Sequence, residues 1–335
     1  MGQTVSSRER PLVDGDADED TGRIREVRSM TLGDLSQDNA RGGTPEDPGI
    51  LKRNFPYLRW ASVQGCCIIL ELLVFVFACV AVTPRGWVTP HPLANWKLGS
   101  SDRTMEQCAY SLRGSYLIEL RRTIVPIFLH MNIPHILFNV YFQFSEGTRT
   151  EVEFGSAKFL ALFLLSGMAG NLLSDAFGVN GVGASTSCYG LIGVQIGRLF
   201  IVEWPHIQDA GMKTRLHEHW MRVGGMLVLW EVLNWQTIDH FGHGGGLLAG
   251  ICLGCVLDKG QSVRFSPLTD SQMYATSANG GGGLIGPTPR QRGYATSVLT
   301  ILMLGSAAMI WYGGRGTDLE LICPMLWRRY FKETS

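Results

Sequence analysis

Apolar positions fall into long blocks separated by polar stretches, and the blocks have the length of membrane spans. About 20 apolar residues cross about 30 Å of hydrocarbon, and Val63–Thr83 is such a block, broken only by Glu71. A polar stretch over roughly 84–123 follows, rich in Trp and Pro and long enough to form structure of its own. Further spans are expected at Val125–Phe144, Ala157–Phe177, Ala184–Val202, Val223–Trp235 with extension on both sides, and Phe241–Leu257. A last block, Ala295–Tyr312, stands apart from these. The pattern predicts an all-α membrane protein with six clustered spans and a seventh after a linker.

Composition sharpens this division. Residues 1–60 carry 11 acidic and 9 basic side chains, so a third of the tail is charged, whereas the whole chain is 17% charged. Such a segment, with the acidic run Asp14–Asp20 and the turn-forming Gly42-Gly43-Thr44-Pro45, offers no face to bury and is expected to be disordered. Its first residues fit the N-myristoylation pattern M-G-x-x-x-[ST], making Gly2 a lipidation candidate and implying a cytosolic N-terminus. The expected organisation is a cytosolic tail over 1–60, a six-span core over 61–257, a cytosolic linker over 258–293, a seventh helix over 294–313 and a C-terminal tail over 314–335. Lys and Arg divide 11 to 10 between the two sides, but the short loops favour a cytosolic N-terminus. The 29 basic residues balance 29 acidic ones, which excludes nucleic-acid binding through bulk positive charge.

Polar groups inside spans are costly and usually functional. They collect as His130, His135 and Asn139 in the second span, Ser185 at the start of the fourth, and His240 with His243 at the start of the sixth. These three spans begin from the same side of the membrane, so the groups lie at similar depth. A serine, a histidine and spare donors at one depth are the parts of a serine hydrolase. The Gly183-Ala184-Ser185 turn exposes a hydroxyl beside the N–H groups of a helix start, where an oxyanion is stabilised; a small-residue packing interface is the alternative reading. His243, Gly246, Gly250 and Gly254 fall at i, i+3, i+7 and i+11, one helix face that permits close approach to another helix. If that helix is the fourth span, His243 lands beside Ser185. His240 is the rival base, disfavoured because the glycine ridge begins at His243. His135 and Asn139 share a face, and His130 is turned away from it. A metal site is disfavoured, since Asn is a poor ligand.

The spacings H-x4-H-x3-N, G-x-S and H-x2-G-x3-G, in this order and in these spans, resemble the rhomboid intramembrane serine proteases. The six-plus-one count is similar to the eukaryotic secretase-type branch, and Gly183–Gly190 is similar to members from parasitic protozoa. The resemblance covers about residues 110–257. It implies a serine endopeptidase with Ser185 as nucleophile and His243 as general base, a dyad with no Asp. His135, Asn139 and the Ser185 N–H would form the oxyanion hole. Tyr189 would pack on the catalytic His ring, while Glu119 and Arg122 match the ends of the family's E-x-W-R motif. The implied partners are single-span membrane substrates in a lipid bilayer of the secretory pathway or plasma membrane, cut near the outer or lumenal face without metal or cofactor. Three positions depart from the family pattern: Thr186 for Gly, Gly242 for Ala and Arg121 for Trp. A catalytically inactive rhomboid-like protein that binds membrane clients is the alternative. Of the 8 cysteines, Cys108 and Cys323 are the only plausible disulfide pair, although two free thiols are the favoured expectation because nothing in the sequence fixes their distance.

Overall fold

The computed structural model describes residues 61–83, 89–110, 114–204, 210–258, 286–313 and 319–328. The expectations for the tail 1–60, for Gly2 and for most of the linker lie outside these residues. Every regular element among them is helical.

Helix α1 (Val63–Phe77) continues through a π-turn to Val82. Between it and the next long helix lie α2 (Pro92–Leu98), α3 (Arg103–Tyr110) and two 3₁₀ segments, Gly114–Thr123 and Val125–Phe128. The stretch read as a long structured loop thus holds helices of its own. Helix α4 (Ile133–Phe142) runs through a π-turn, Gln143–Gly147, into α5 (Thr148–Phe154). Then come α6 (Ser156–Ala176), α7 (Ser185–Arg198) with a π-turn to Glu203, α8 (Ala210–Leu233), α9 (His240–Leu257), α10 (Pro289–Gly313) and α11 (Leu319–Trp327).

Four helical segments are long and apolar enough to cross a membrane: Val63–Val82, Ser156–Ala176, His240–Leu257 and Pro289–Gly313. Their outward positions are apolar, with Leu73, Val80 and Ile301 each more than 60% exposed, as lipid contact requires. The other three expected spans coincide with helices that carry more polar residues or are shorter.

Two sequence expectations need correction. The second span does not start at Val125, because the chain there forms a tight 3₁₀ segment around Pro126; the helix begins at Ile133, where the Asn132 side chain accepts from the His135 N–H at 2.9 Å. Cys108 and Cys323 are joined as a disulfide with Cα atoms 5.8 Å apart, not left as free thiols. The fold brings α11, an element not expected in the C-terminal tail, against α3.

Helix α9 lies at the centre, packed most closely on α7 and α6, with α10 against both α9 and α6. Its glycine ridge makes that closeness possible. A side chain on Gly246 would strike the Thr186 carbonyl, one on Gly250 the Gly190 carbonyl, and one on Gly254 would reach the Val194 backbone. Thr186, Gly190 and Val194 are themselves four residues apart, so two i, i+4 faces interlock along α7 and α9. Apolar side chains including Phe159, Phe163, Leu191, Ile192 and Leu253 fill the core around this seam.

Candidate active site

Helices α4, α7 and α9 start at one end of the bundle, and each start is fixed by local chemistry. Asn132 caps α4. At α9 the Asp239 carboxylate accepts from the Gly242 N–H at 2.8 Å. At α7 the chain turns through Gly183 at φ +127°, a conformation that a side chain strains. A Cβ there would also stand 2.6 Å from the His135 ring, so Gly183 serves both the turn and the approach of α4. The Gly183 N–H donates to the Pro126 carbonyl at 2.8 Å, which ties the turn to the 3₁₀ segment.

These starts converge. Ser185 Oγ lies 2.9 Å from His243 Nε2, across 58 residues of sequence. The Tyr189 ring stacks on the His243 ring with centroids 4.2 Å apart and planes 14° from parallel. Ser187 faces the opposite way, donating to the Phe163 carbonyl at 2.7 Å. As the first residue of α7, Ser185 has an N–H without an intrahelical acceptor. Asn139, 1% exposed, turns its amide nitrogen toward the Gly183 side of the site without a hydrogen-bond partner among the described residues, and His135 Nδ1 likewise has none. An unused buried donor such as the Asn139 amide is uncommon in folded proteins.

His130 stands just before α4, not within it. Its ring meets His135 edge-on at 5.3 Å, and its Nε2 lies 3.7 Å from a carboxylate oxygen of the fully buried Glu71 on α1. Gln143 donates to both oxygens of that carboxylate, at 2.9 and 2.8 Å. Glu119 and Arg122 form a fully buried ion pair at 2.5 Å. Arg122 also donates to the Trp96 and Ser100 carbonyls and lies over the Trp96 ring, so it knits the loop between α1 and α4 into one piece.

One residue of the site escaped the sequence reading. Glu231, near the end of α8, puts Oε1 2.5 Å from His243 Nδ1 and 2.6 Å from the Tyr189 hydroxyl, and Oε2 2.7 Å from His240 Nδ1. His240 thus does not face the serine; its other nitrogen meets the Trp235 carbonyl at 3.0 Å. The available signal was an ionisable residue inside the apolar run Met226–Leu233.

A cavity of about 590 Å³ opens onto Ser185 and His243, lined also by Asn132, His135, Trp230 and Asp239. Its rim mixes apolar and amide side chains.

A family model for the Rhomboid domain matches residues 118–259, which include every residue of this cluster. The chain is 30% identical over 208 residues to rhomboid-like protease 3 of Toxoplasma gondii, a match covering 61% of this chain and 73% of that protein. The chain belongs to the rhomboid family. With the apolar helices above, that membership makes it an integral membrane protein. It is also 39% identical over 142 residues to rhomboid-like protease 1 of the same organism, covering 41% of this chain and 47% of that relative. Toward the rhomboid protease GluP of Bacillus subtilis it is 28% identical over 177 residues, covering 50% of this chain and 32% of the relative. The chain therefore spans less than half the length of these last two rhomboids.

Proposed function

We propose that the protein is an intramembrane serine endopeptidase that cuts transmembrane helices of single-span proteins near the outer or lumenal face. The observation that carries this reading is the 2.9 Å contact between Ser185 Oγ and His243 Nε2 in the lining of a cavity. Named proteases among the relatives support the same reaction class. That contact also weighs against an inactive client-binding role, which would need neither a serine nor a base in register.

Ser185 Oγ attacks the scissile carbonyl carbon and passes its proton to His243 Nε2. His243 returns the proton to the leaving amine, and water then hydrolyses the acyl-enzyme by the same route. The Ser185 N–H, His135 and Asn139 are the donors for the oxyanion, and the unpaired Asn139 amide nitrogen beside the Gly183 turn supports that role. Tyr189 holds the His243 ring by stacking; Gly183 gives the turn; His130, Glu119 and Arg122 hold the surrounding frame. No metal or cofactor enters this chemistry.

A helical substrate hides its amides in i to i−4 bonds and must unwind before its carbonyl is accessible, so Gly or Pro near its outer end favours cleavage. We assign six spans to residues 61–257 and a seventh to 294–313, with a cytosolic N-terminal tail over 1–60, a cytosolic linker over 258–293, a C-terminal tail over 314–335, and residence in the secretory pathway or plasma membrane.

The test is cleavage of a single-span reporter in proteoliposomes. Ser185→Ala and His243→Ala each abolish product, and the double variant is no worse than either, because the pair acts as a unit. Full activity in Ser185→Ala overturns the assignment.

A further inference from the structure

Glu231 stands where an acidic third member of a hydrolytic site would stand, although the motifs that define the dyad do not contain it. Its carboxylate meets three partners from two other helices: His243 and His240 on α9 and Tyr189 on α7. Its side chain is only 20% exposed, although it lies on a helix whose neighbouring positions, Val228, Leu229, Val232 and Leu233, face outward. A charged group in that setting has to be paired.

The hydrogen-bond inventory fixes the arrangement. An ionised carboxylate only accepts, so Oε1 accepts hydrogen bonds from the Tyr189 hydroxyl and from the His243 Nδ1–H. With its proton on Nδ1, His243 has Nε2 free to accept from Ser185 Oγ, the tautomer a general base requires. The Trp235 carbonyl also only accepts, so both His240 contacts, Nε2 to that carbonyl and Nδ1 to Glu231 Oε2, are hydrogen bonds when each ring nitrogen carries a hydrogen. His240 is thus the counter-group of the carboxylate, which explains a second histidine one turn from the base.

We propose that Glu231 is a positioning residue of the reaction: it fixes the reactive tautomer and orientation of His243 and faces the imidazolium formed when Ser185 is deprotonated. This rests on the serine-protease reading above. When Ser185 Oγ bonds the substrate carbon, its proton goes to His243 Nε2, the Nδ1–H stays on His243, and Glu231 takes no proton. The carboxylate never touches substrate. It acts from α8, so α8 must be seated against α7 and α9 for the base to be aligned.

The experiment is steady-state cleavage of the single-span reporter from pH 5 to 9, with Glu231→Gln, Glu231→Asp and Ser185→Ala beside the wild type. The titratable groups facing His243 are Ser185 and Tyr189 from α7, His135 from α4, Glu231 from α8, and His240 and Asp239 at its own helix start. Of these groups only Glu231 changes in Glu231→Gln and Glu231→Asp. Glu231→Gln should lower kcat about 10- to 10³-fold with KM within about threefold, since charge behind the base acts on the transition state. The ascending limb of the pH profile should also move to lower pH by about one unit, because a histidine without its anion protonates less readily. Glu231→Asp should restore the position of that limb and part of kcat. A structural role alone would not move the limb. Wild-type kcat and an unmoved limb in Glu231→Gln overturn the proposal, as does a rise in KM alone, which would make Glu231 a substrate contact. Should Glu231→Gln unfold, Glu231→Asp decides: reduced kcat at ordinary thermal stability supports the role, and wild-type kcat overturns it. Cleavage that survives in Ser185→Ala instead defeats the dyad reading itself, so the two failures are distinct.

Discussion

Gly250 of α9 sits directly on the carbonyl of Gly190 of α7, with no room between them for even one side-chain carbon. His243 is two turns back along the same helix, so the closeness of this contact sets where the His243 ring stands relative to Ser185. Gly250→Ala should push the helices apart and lower turnover at least about tenfold, through misplacement of the dyad, together with a fall in thermal stability. Gly305→Ala in α10, where an added carbon meets open space, should leave activity intact and raise stability by up to about 1 kcal/mol. Equal tolerance of the two changes in a detergent melting assay would refute the interlock.

The proposed oxyanion donors give a second expectation. Asn139 has a buried, unpaired amide nitrogen near the turn that carries Ser185. Loss of one such donor typically costs about 10²–10³ in kcat. Asn139→Ala should therefore slow turnover of bound substrate by that order and change KM little; His135→Ala should do the same. Lost binding with intact turnover would mark them as substrate contacts.

Ser187 is the internal control for Ser185. Its hydroxyl donates to the Phe163 carbonyl inside the α6–α7 interface. Ser187→Ala should keep cleavage and lose about 1 kcal/mol of stability, the net worth of a typical buried hydrogen bond. Kinetics and melting on one preparation separate the two effects.

Much of this site is legible in the chain, and the reason is periodicity. Ser185 and His243 follow from a Gly-x-Ser turn and from glycines at three, seven and eleven residues beyond a histidine, because helix geometry turns those spacings into one face. Tyr189, four residues after Ser185, follows in the same way. Glu231 does not, because no spacing links it to the other motifs; only the docking of α8 brings it to His243. The sequence singles out Cys108 and Cys323 as the only plausible pair but not the bridge between them, since the residues are 215 apart and their distance is set by how α10 returns α11 to α3. Helix α4 starts later than the apolar pattern predicts, because apolar content continues through Pro126 while the helix begins only after its Asn132 cap.

Outside the spans, Glu106 on α3 is fully buried, and burial first, then Asp175 beside it, push its carboxyl from 4.5 up to about 10. Its folded-state value is thus raised, so its contribution to stability is complete below pH 4.5 and is lost as pH rises toward 10. Between those limits the folded protein holds a proton that the unfolded chain releases. Glu106→Gln, which cannot ionise, should lose less melting temperature than wild type between pH 5 and pH 9. Parallel melting curves for the two proteins would show that Glu106 does not titrate across folding.

The disulfide makes the last prediction, and it bears on topology as well as stability. Cys108 lies on α3, after the first span, and Cys323 on α11, after the last. Gln107, next to Cys108, donates to the Ile310 carbonyl at the end of α10 at 2.8 Å, so the bridge and this bond hold α10 to the same lobe. Six crossings separate the two cysteines in the proposed arrangement, an even number, which puts both on one side, opposite the N-terminus. A bridge persists in an oxidising lumen or outside the cell, which agrees with a cytosolic N-terminus. Closing so long a loop contributes about 2–4 kcal/mol. Cys323→Ser should therefore lower the melting temperature to the value wild type shows under reductant, with no further loss when reductant is added. In intact cells or sealed vesicles of known sidedness, a membrane-impermeant thiol reagent applied to the outer or lumenal side should label neither cysteine before reduction and both after it. Labelling without reductant would mean there is no bridge. Labelling only after the membrane is opened would place both cysteines in the cytosol, reverse the orientation, and move Ser185 and His243 to the other face.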